Sequence, residues 1–232
     1  MSKTQDPNAD QEPEHNPATQ ALIRGDAEYL SLQGGAGFIE ALRDQPDGGA
    51  VSKGVAIVCH PHSLYGGNMD HKVVQTLAKA FTQEGWTAVR FNCRGVGKSA
   101  GEYDEGRGES QDLLQVITQV APTGPLSLAG FSFGTHVVCS VAEQLLVREP
   151  QHIVLVGTAN SRFAVPPLPP AWHQRALLIH GENDEVVPIS STLDWVRPQN
   201  LPLLVVPQGG HFFHGQQGLL KALVLRHLRS LN

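Results

Sequence analysis

The segment GFSFG at residues 130–134 constrains the fold of this chain more than any other feature. It matches the pattern G-x-S-x-G, which places the serine, here Ser132, on a sharp turn between a strand and a helix. Residues 125–129 before it predict a short buried strand, and apolar residues recur at helical spacing across 137–146 after it. Because such a turn crowds the strand against the helix, we expect both flanking glycines to be required for their small size. Ser132 is therefore a candidate nucleophile.

Composition and charge narrow the class of protein. A chain of 232 residues that is 41% hydrophobic is long enough for one α/β domain with its own core. Residues 1–20 are polar, so we expect a disordered tail there and a single domain over 21–232. The formal net charge of −5 and the absence of a basic block do not support nucleic-acid binding. No apolar run is long enough to span a bilayer, so no membrane association is expected.

The cysteines and the N-terminal segment predict the cellular compartment. The three cysteines, Cys59, Cys93 and Cys139, are odd in number and lack C-x-x-C spacing, which argues against a disulfide framework and a structural zinc site. The N-terminal segment has no apolar stretch of the kind found in signal peptides. We therefore expect a cytoplasmic protein.

Strands and helices alternate along most of the chain, a pattern typical of a parallel sheet covered by helices. An antiparallel hairpin is expected first, with strands at 27–32 and 37–43 around a turn at Gly34 and Gly35. Further strands are predicted at 55–59, 87–91, 125–129, 153–156, 176–179 and 203–206, and helices at 70–84, 109–120 and 219–228. The sequence thus predicts an α/β fold, with a mostly parallel sheet and helices on both faces.

The partners that a nucleophilic serine needs follow later strands in the expected order. The serine needs a base, and the base needs a carboxylate that orients it. Asp184 follows the strand predicted at 176–179, and His211 follows the strand predicted at 203–206. Because catalytic groups of open α/β sheets gather at the carboxyl ends of the strands, Ser132, Asp184 and His211 are expected to meet there.

Neighbouring residues of the same types are alternatives for two of these roles. The alternatives are Glu182 and Glu185 for the acid, and His180 and His214 for the base. The glycine pair at 209–210 favours His211, because it allows a tight loop that carries the histidine back over the sheet.

A serine hydrolase also needs two donors that stabilise an oxyanion. The backbone N–H of Phe133 is expected to be the first, since it follows the nucleophile at the positive end of a helix. The second is expected in the loop after the strand at 55–59. Pro61 has no N–H, which leaves His62 or Ser63, with His62 favoured. The residues expected to line the pocket are His60, Ser63, Tyr65, Phe131 and Phe212.

Two other motifs suggest different chemistry and fit poorly. The segment GVGKS at 95–99 resembles a phosphate loop, but Asn92 stands where the first glycine is required, and a loop follows instead of a helix. His60 and His62, with Asp70 and His71 nearby, suggest a metal cluster, but no helical H-E-x-x-H pattern or cysteine pair supports one. No metal and no cofactor are therefore expected.

Taken together, several segments resemble a known family, the small bacterial α/β hydrolases without a lid, near the esterases and dienelactone-hydrolase-like enzymes. The matching segments are CHPHSLYGGNMDHKVV, FNCRGVGKSAGEYDEGRGE, LAGFSFG, HGENDEVVP and GGHFFHG. The resemblance covers roughly residues 28–231. It implies the α/β-hydrolase fold, with Ser132 as nucleophile, Asp184 as acid and His211 as base.

These observations predict a serine hydrolase that forms an acyl-enzyme intermediate. The segment 157–175, where this fold often carries a lid, is short and rich in proline, so no substantial lid is expected. An open pocket favours small soluble carboxylic esters or thioesters as substrates. A peptidase or an acyltransferase with the same triad, and a non-catalytic scaffold of this fold, are the alternative interpretations.

Overall fold

The computed structural model describes residues 23–24 and 27–230, which form one sheet of nine strands flanked by helices. The strands are β1 (Ile23–Arg24), β2 (Ala27–Gly34), β3 (Gly37–Asp44), β4 (Val55–Cys59), β5 (Thr87–Phe91), β6 (Leu126–Phe131), β7 (His152–Val156), β8 (Ala176–Gly181) and β9 (Leu204–Val206). Their order across the sheet is β1-β2-β3-β5-β4-β6-β7-β8-β9. The tail expected at 1–20 lies outside the described residues.

The sheet has an antiparallel edge and a parallel remainder. Strands β2 and β3 form the predicted hairpin, which closes at the pair Gly34 and Gly37. Strand β3 runs antiparallel to β5, and the six strands β5, β4, β6, β7, β8 and β9 are parallel to one another. The predicted mostly parallel α/β sheet is confirmed.

The central strands are buried on both faces, as continuous apolar runs in parallel sheets require. In β4, Ala56 and Val58 belong to the core on one face, whereas Ile57 and Cys59 belong to the core on the other. The sheet therefore separates two hydrophobic cores.

Five α-helices cover these two cores. They are α1 (Lys72–Gln83), α2 (Arg107–Val120), α3 (Phe133–Ser140), α4 (Ile189–Val196) and α5 (Gln217–Ser230). Helices α1 and α5 pack on one face through residues such as Leu77 and Leu220. Helices α2, α3 and α4 pack on the other face through Leu113, Val137 and Val196. The prediction of helices on both faces is confirmed.

The connection from β7 to β8, residues 157–175, carries no α-helical cap. Its one regular element is a short 3₁₀ helix, Pro170–Arg175. The carboxyl edge of the sheet is therefore left without a substantial lid, as predicted. No helix within 23–24 and 27–230 combines the length and apolarity that a membrane crossing needs.

Candidate active site

Ser132 lies on the sharp turn between β6 and α3, in an unusual backbone conformation. Its φ of 53° and ψ of −118° belong to a region that residues with a side chain rarely adopt. Its N–H donates to the carbonyl oxygen of Val156 at 2.8 Å, which ties the turn to the end of β7. Such strain persists only where the surroundings enforce it, and it concentrates at functional sites.

The two glycines of the motif are required by space. A Cβ on Gly130 would lie 2.4 Å from the carbonyl oxygen of Gly134. A Cβ on Gly134 would lie 2.3 Å from the carbonyl oxygen of Cys59, at the end of β4. Both obstacles are backbone atoms, which cannot rotate away. The predicted crowding of strand, turn and helix is confirmed.

Ser132, His211 and Asp184 form a continuous chain of hydrogen bonds. The His211 Nε2 lies 2.9 Å from the Ser132 Oγ, and the His211 Nδ1 lies 2.7 Å from the Asp184 Oδ2. Asp184 follows β8 and His211 follows β9, so both stand beyond carboxyl ends of parallel strands. All three residues are buried.

The surroundings of Asp184 favour its ionised form. Burial raises the pKa of this carboxyl, but the hydrogen bond from His211 and those from two backbone N–H groups outweigh burial, so the pKa is lowered. Those N–H groups, of Val186 and Val187, donate to the Asp184 Oδ1 at 2.9 and 2.7 Å. Because a carboxylate only accepts hydrogen bonds, the proton of neutral His211 lies on Nδ1. Its Nε2 is then free to accept the Ser132 hydroxyl.

The imidazole of His211 is packed closely between neighbouring residues. Its ring centroid lies 5.0 Å from that of Phe131 and 5.0 Å from that of Phe212. On another side Gly157 leaves room for it, since a Cβ there would lie 3.2 Å from the His211 Cε1. Packing and hydrogen bonds together hold the ring in one orientation.

The alternatives for the acid and the base lie elsewhere. Glu182 and Glu185 are exposed, and each accepts a backbone N–H bond from the loop that carries His211. His214 is exposed on the same loop. His180 is fully buried beneath Asp184, with its Nε2 3.5 Å from the Asp184 Oδ2 and 2.9 Å from the carbonyl oxygen of Val187. None of the four reaches Ser132.

The two expected oxyanion donors flank Ser132. Phe133 is the first residue of α3, so its N–H has no acceptor in a preceding helical turn. His62 lies in the loop after β4, and that loop contacts the start of α3 where Gly134 approaches Cys59. Both Phe133 and His62 line one cavity together with Ser132.

The cavity above Ser132 has a volume of about 600 Å³. Its walls are largely aromatic and aliphatic, with Ser132 and His211 at the base. Its lining residues are Pro61, His62, Tyr65, Gly67, His71, Ser132, Phe133, Ala159, Arg162, Phe163, Val186, Val187, His211 and Phe212. A small organic molecule fits a mostly apolar cleft of this size.

Two of the five predicted pocket residues line the cavity, and three do not. Tyr65 and Phe212 are part of its wall. Phe131 is fully buried and supports the ring of His211 from below. Ser63 is outside the lining, since the loop turns its hydroxyl inward.

His60 was predicted at the pocket and is instead a buried link between two loops. Its Nε2 accepts the N–H of Cys93 at 2.9 Å, and its Nδ1 lies 2.6 Å from the carbonyl oxygen of Pro61. Burial lowers the pKa of His60 to about 4. Its neutral ring therefore joins the ends of β4 and β5.

Several lining residues were not predicted from the sequence. His71 begins α1 by accepting the N–H of Val73, and its ring stacks on Phe131 at 5.1 Å. Arg162 and Phe163 follow β7, and Val186 and Val187 follow β8. Their position after strand ends is the signal that would have identified them.

The side chains of the described region offer no alternative centre for a metal. Within residues 23–24 and 27–230, no group of three or more His, Cys, Asp or Glu is placed to hold an ion.

Comparison with known proteins agrees with the architecture. No protein-family model matches the chain. An uncharacterized protein of Rickettsia prowazekii is 35% identical over 156 residues, and the match spans 61% of this chain and 61% of that relative.

Two solved structures are similar over most of their length. One is an α/β serine hydrolase without a lid from Xanthomonas campestris, with 36% identity, a TM-score of 0.80, and coverage of 91% of this chain and 97% of that one. The other is an α/β serine hydrolase homologue from Coxiella burnetii, with 33% identity, a TM-score of 0.75, and coverage of 90% and 100%. The chain therefore belongs to the family of α/β serine hydrolases without a lid.

Proposed function

We propose that this hydrolase cleaves small soluble carboxylic esters or thioesters through an acyl-enzyme intermediate on Ser132. The proposal depends on one observation, the hydrogen-bonded chain from Ser132 through His211 to Asp184 at 2.9 and 2.7 Å. Both distances lie within the range that proton transfer requires. The cavity above Ser132 supplies the space for an acyl group and a leaving group.

In the first half-reaction, the Ser132 Oγ attacks the carbonyl carbon while the His211 Nε2 takes its proton. The carbonyl oxygen becomes negatively charged and accepts hydrogen bonds from the N–H groups of Phe133 and His62. The C–O or C–S bond to the leaving group then breaks, and protonated His211 donates its proton to the departing atom. Ionised Asp184 stabilises the imidazolium throughout.

In the second half-reaction, water replaces the leaving group. His211 takes a proton from the water, whose oxygen attacks the acyl carbon of the Ser132 ester. Collapse of the tetrahedral intermediate breaks the bond to the Ser132 Oγ, and His211 returns the proton to that oxygen. The products are a carboxylic acid and an alcohol or thiol, and the enzyme is restored.

The alternative functions differ from this proposal in the bond that is cleaved, in the acceptor of the acyl group, or in having no catalytic activity. A peptidase would use the same three side chains to cleave an amide and release an amine, and an acyltransferase would use them to pass the acyl group to an acceptor such as an alcohol. A non-catalytic scaffold would have no need to maintain the strained conformation of Ser132. That strain favours an active enzyme over a scaffold.

Labelling with a fluorophosphonate tests the proposal directly. Such a probe phosphonylates an activated serine, so the wild-type protein should be labelled at Ser132 and should hydrolyse short nitrophenyl esters. The variant Ser132→Ala should show neither reaction, since the attacking oxygen is absent. Mass spectrometry of the labelled peptide identifies the modified residue.

The control variant is Ser191→Ala, which removes an exposed hydroxyl on α4. It should be labelled and should turn over esters as the wild type does. Folded wild-type protein that resists labelling would favour the scaffold. Equal labelling of Ser132→Ala would place the nucleophile elsewhere.

A further inference from the structure

Arg162 lies in the wall of the cavity that contains Ser132, and hydrogen bonds link its turn to the backbone of Ser132. It lies in a turn after β7, where the N–H groups of Arg162 and Phe163 both donate to the carbonyl oxygen of Ala159 at 3.0 Å. The Ala159 N–H donates to the Thr135 Oγ1, whose hydroxyl donates to the carbonyl oxygen of Ser132 at 2.6 Å. The backbone of the turn is thus fixed relative to the candidate nucleophile.

The guanidinium of Arg162 has no acidic partner in the described part of the chain. Every other arginine with a described side chain, apart from Arg226, forms an ion pair or donates to a carbonyl group. Arg162 is exposed at the cavity, whereas Arg226 lies on α5 outside it. A free guanidinium at the mouth of an active site is available to a ligand.

The charges around the cavity suit an anion. None of the residues that line it is Asp or Glu, and Arg162 is its permanently charged member. Burial lowers the pKa values of His62 and His71, so their rings are neutral at neutral pH. Glu105 lines a neighbouring cavity that Arg162 also borders, but its carboxylate is already paired with Arg107 at 3.0 Å.

We propose that Arg162 binds a carboxylate carried by the substrate, so that the enzyme prefers anionic esters over neutral ones. This inference depends on the proposed function, since it names the substrate class of the same site. A guanidinium presents N–H donors in a planar fork that matches the two oxygens of a carboxylate.

Two pairs of esters of matched size test the proposal in a pH-stat. The first pair is monomethyl succinate, which carries a carboxylate on its acyl side, and its neutral counterpart methyl isohexanoate. The second pair is β-acetoxypropionate, which carries the carboxylate on its leaving group, and its neutral counterpart isopentyl acetate. In at least one pair, the anionic ester should have a kcat/KM about tenfold or more above its neutral partner, since a charge-assisted hydrogen bond contributes on that scale.

The variant Arg162→Gln should lose that preference, because the kcat/KM of the anionic ester should fall to about that of its neutral partner when the binding contact is removed. The matched control is Arg226→Gln, which removes the other unpaired arginine and should retain the full preference. Raising the salt concentration should reduce the preference of the wild type, because the contact is partly exposed.

The outcomes separate this inference from the proposed function. If Ser132 is labelled but the anionic and neutral esters of both pairs are hydrolysed at equal rates, the role of Arg162 is overturned and the proposed hydrolase activity is unaffected. Failure of labelling would instead contradict the hydrolase. If neither pair is turned over, succinate should still slow the labelling of wild-type Ser132 more than that of Arg162→Gln, and equal slowing would overturn the inference.

Discussion

Asp184 illustrates how much of the proposed chemistry depends on single atoms. One of its oxygens accepts two backbone N–H groups, and the other accepts the His211 Nδ1–H at 2.7 Å. A buried carboxylate with these partners fixes both the position and the tautomer of the imidazole. His180 supports the same carboxylate from below, through its contacts with Asp184 and Val187.

The substitution Asp184→Asn should lower kcat by about 10³–10⁴-fold with little change in fold, a loss typical of triads that lack their carboxylate. An amide NH₂ facing His211 favours the tautomer with the proton on Nε2, which can no longer accept the Ser132 hydroxyl. The rate of nitrophenyl acetate hydrolysis measures the loss. The control Glu182→Gln should retain activity within about a factor of two, since its carboxylate is exposed and meets only a loop N–H. A larger loss in Glu182→Gln than in Asp184→Asn would reverse the assignment of the acid.

The three candidate catalytic residues could be predicted to lie together because they follow strands in a fixed order, whereas the positions of their neighbours depend on tertiary contacts. His60 follows β4, as a pocket residue should, but its ring accepts a hydrogen bond from the N–H of Cys93 in the loop after β5. Local patterns do not encode that contact. Arg162 follows β7, which marks it as a candidate for the site, but its place in the wall of the cavity is apparent only from the structure.

At the scale of elements, the packing of β6 against α3 sets the position of Ser132. The helix begins so close to the sheet that Gly134 touches the backbone at the end of β4. This contact also brings the loop of His62 next to the first N–H groups of α3. The turn, the helix and the neighbouring loop therefore pack directly against one another.

The substitution Gly134→Ala should destabilise the protein by about 3 kcal/mol, at the upper end of the usual cost of overpacking. Its Cβ would lie 2.3 Å from the carbonyl oxygen of Cys59, so the helix must move. The matched control is Gly218→Ala on α5, where a Cβ meets nothing within 4 Å. That variant should gain about 0.5 kcal/mol, because alanine restricts the unfolded chain. Urea unfolding measures both free energies, and equal stability of the two variants would contradict the role of crowding.

Element boundaries were predicted closely where a strand is buried on both faces. Strands β4 and β5 lie at the predicted residues 55–59 and 87–91. The helix after Ser132 differs, since the helical spacing over 137–146 is divided between α3, which ends at Ser140, and a 3₁₀ segment, Ala142–Leu145. Both geometries place apolar residues on one side, so spacing alone does not distinguish them.

At the scale of the whole molecule, five adjacent strands supply the site. His62 follows β4, Ser132 follows β6, Arg162 follows β7, Asp184 follows β8 and His211 follows β9, and these strands are neighbours in the sheet. Their parallel direction collects residues that are far apart in sequence at one edge. The connection at 157–175 contributes a wall to this edge and no cap above it.

The absence of a cap predicts a preference for short acyl chains. Each methylene group that is buried inside the cavity favours binding by about 0.8 kcal/mol. The cavity opens at the sheet edge that has no cap, so the distal part of a long chain extends into water, where further methylene groups contribute nothing. In a series of nitrophenyl esters from acetate to palmitate, kcat/KM should therefore reach its maximum at short chains and then fall. Rates of Ser132→Ala supply the background for each ester, and an increase in kcat/KM that continues to palmitate would require an apolar surface that the open edge does not provide.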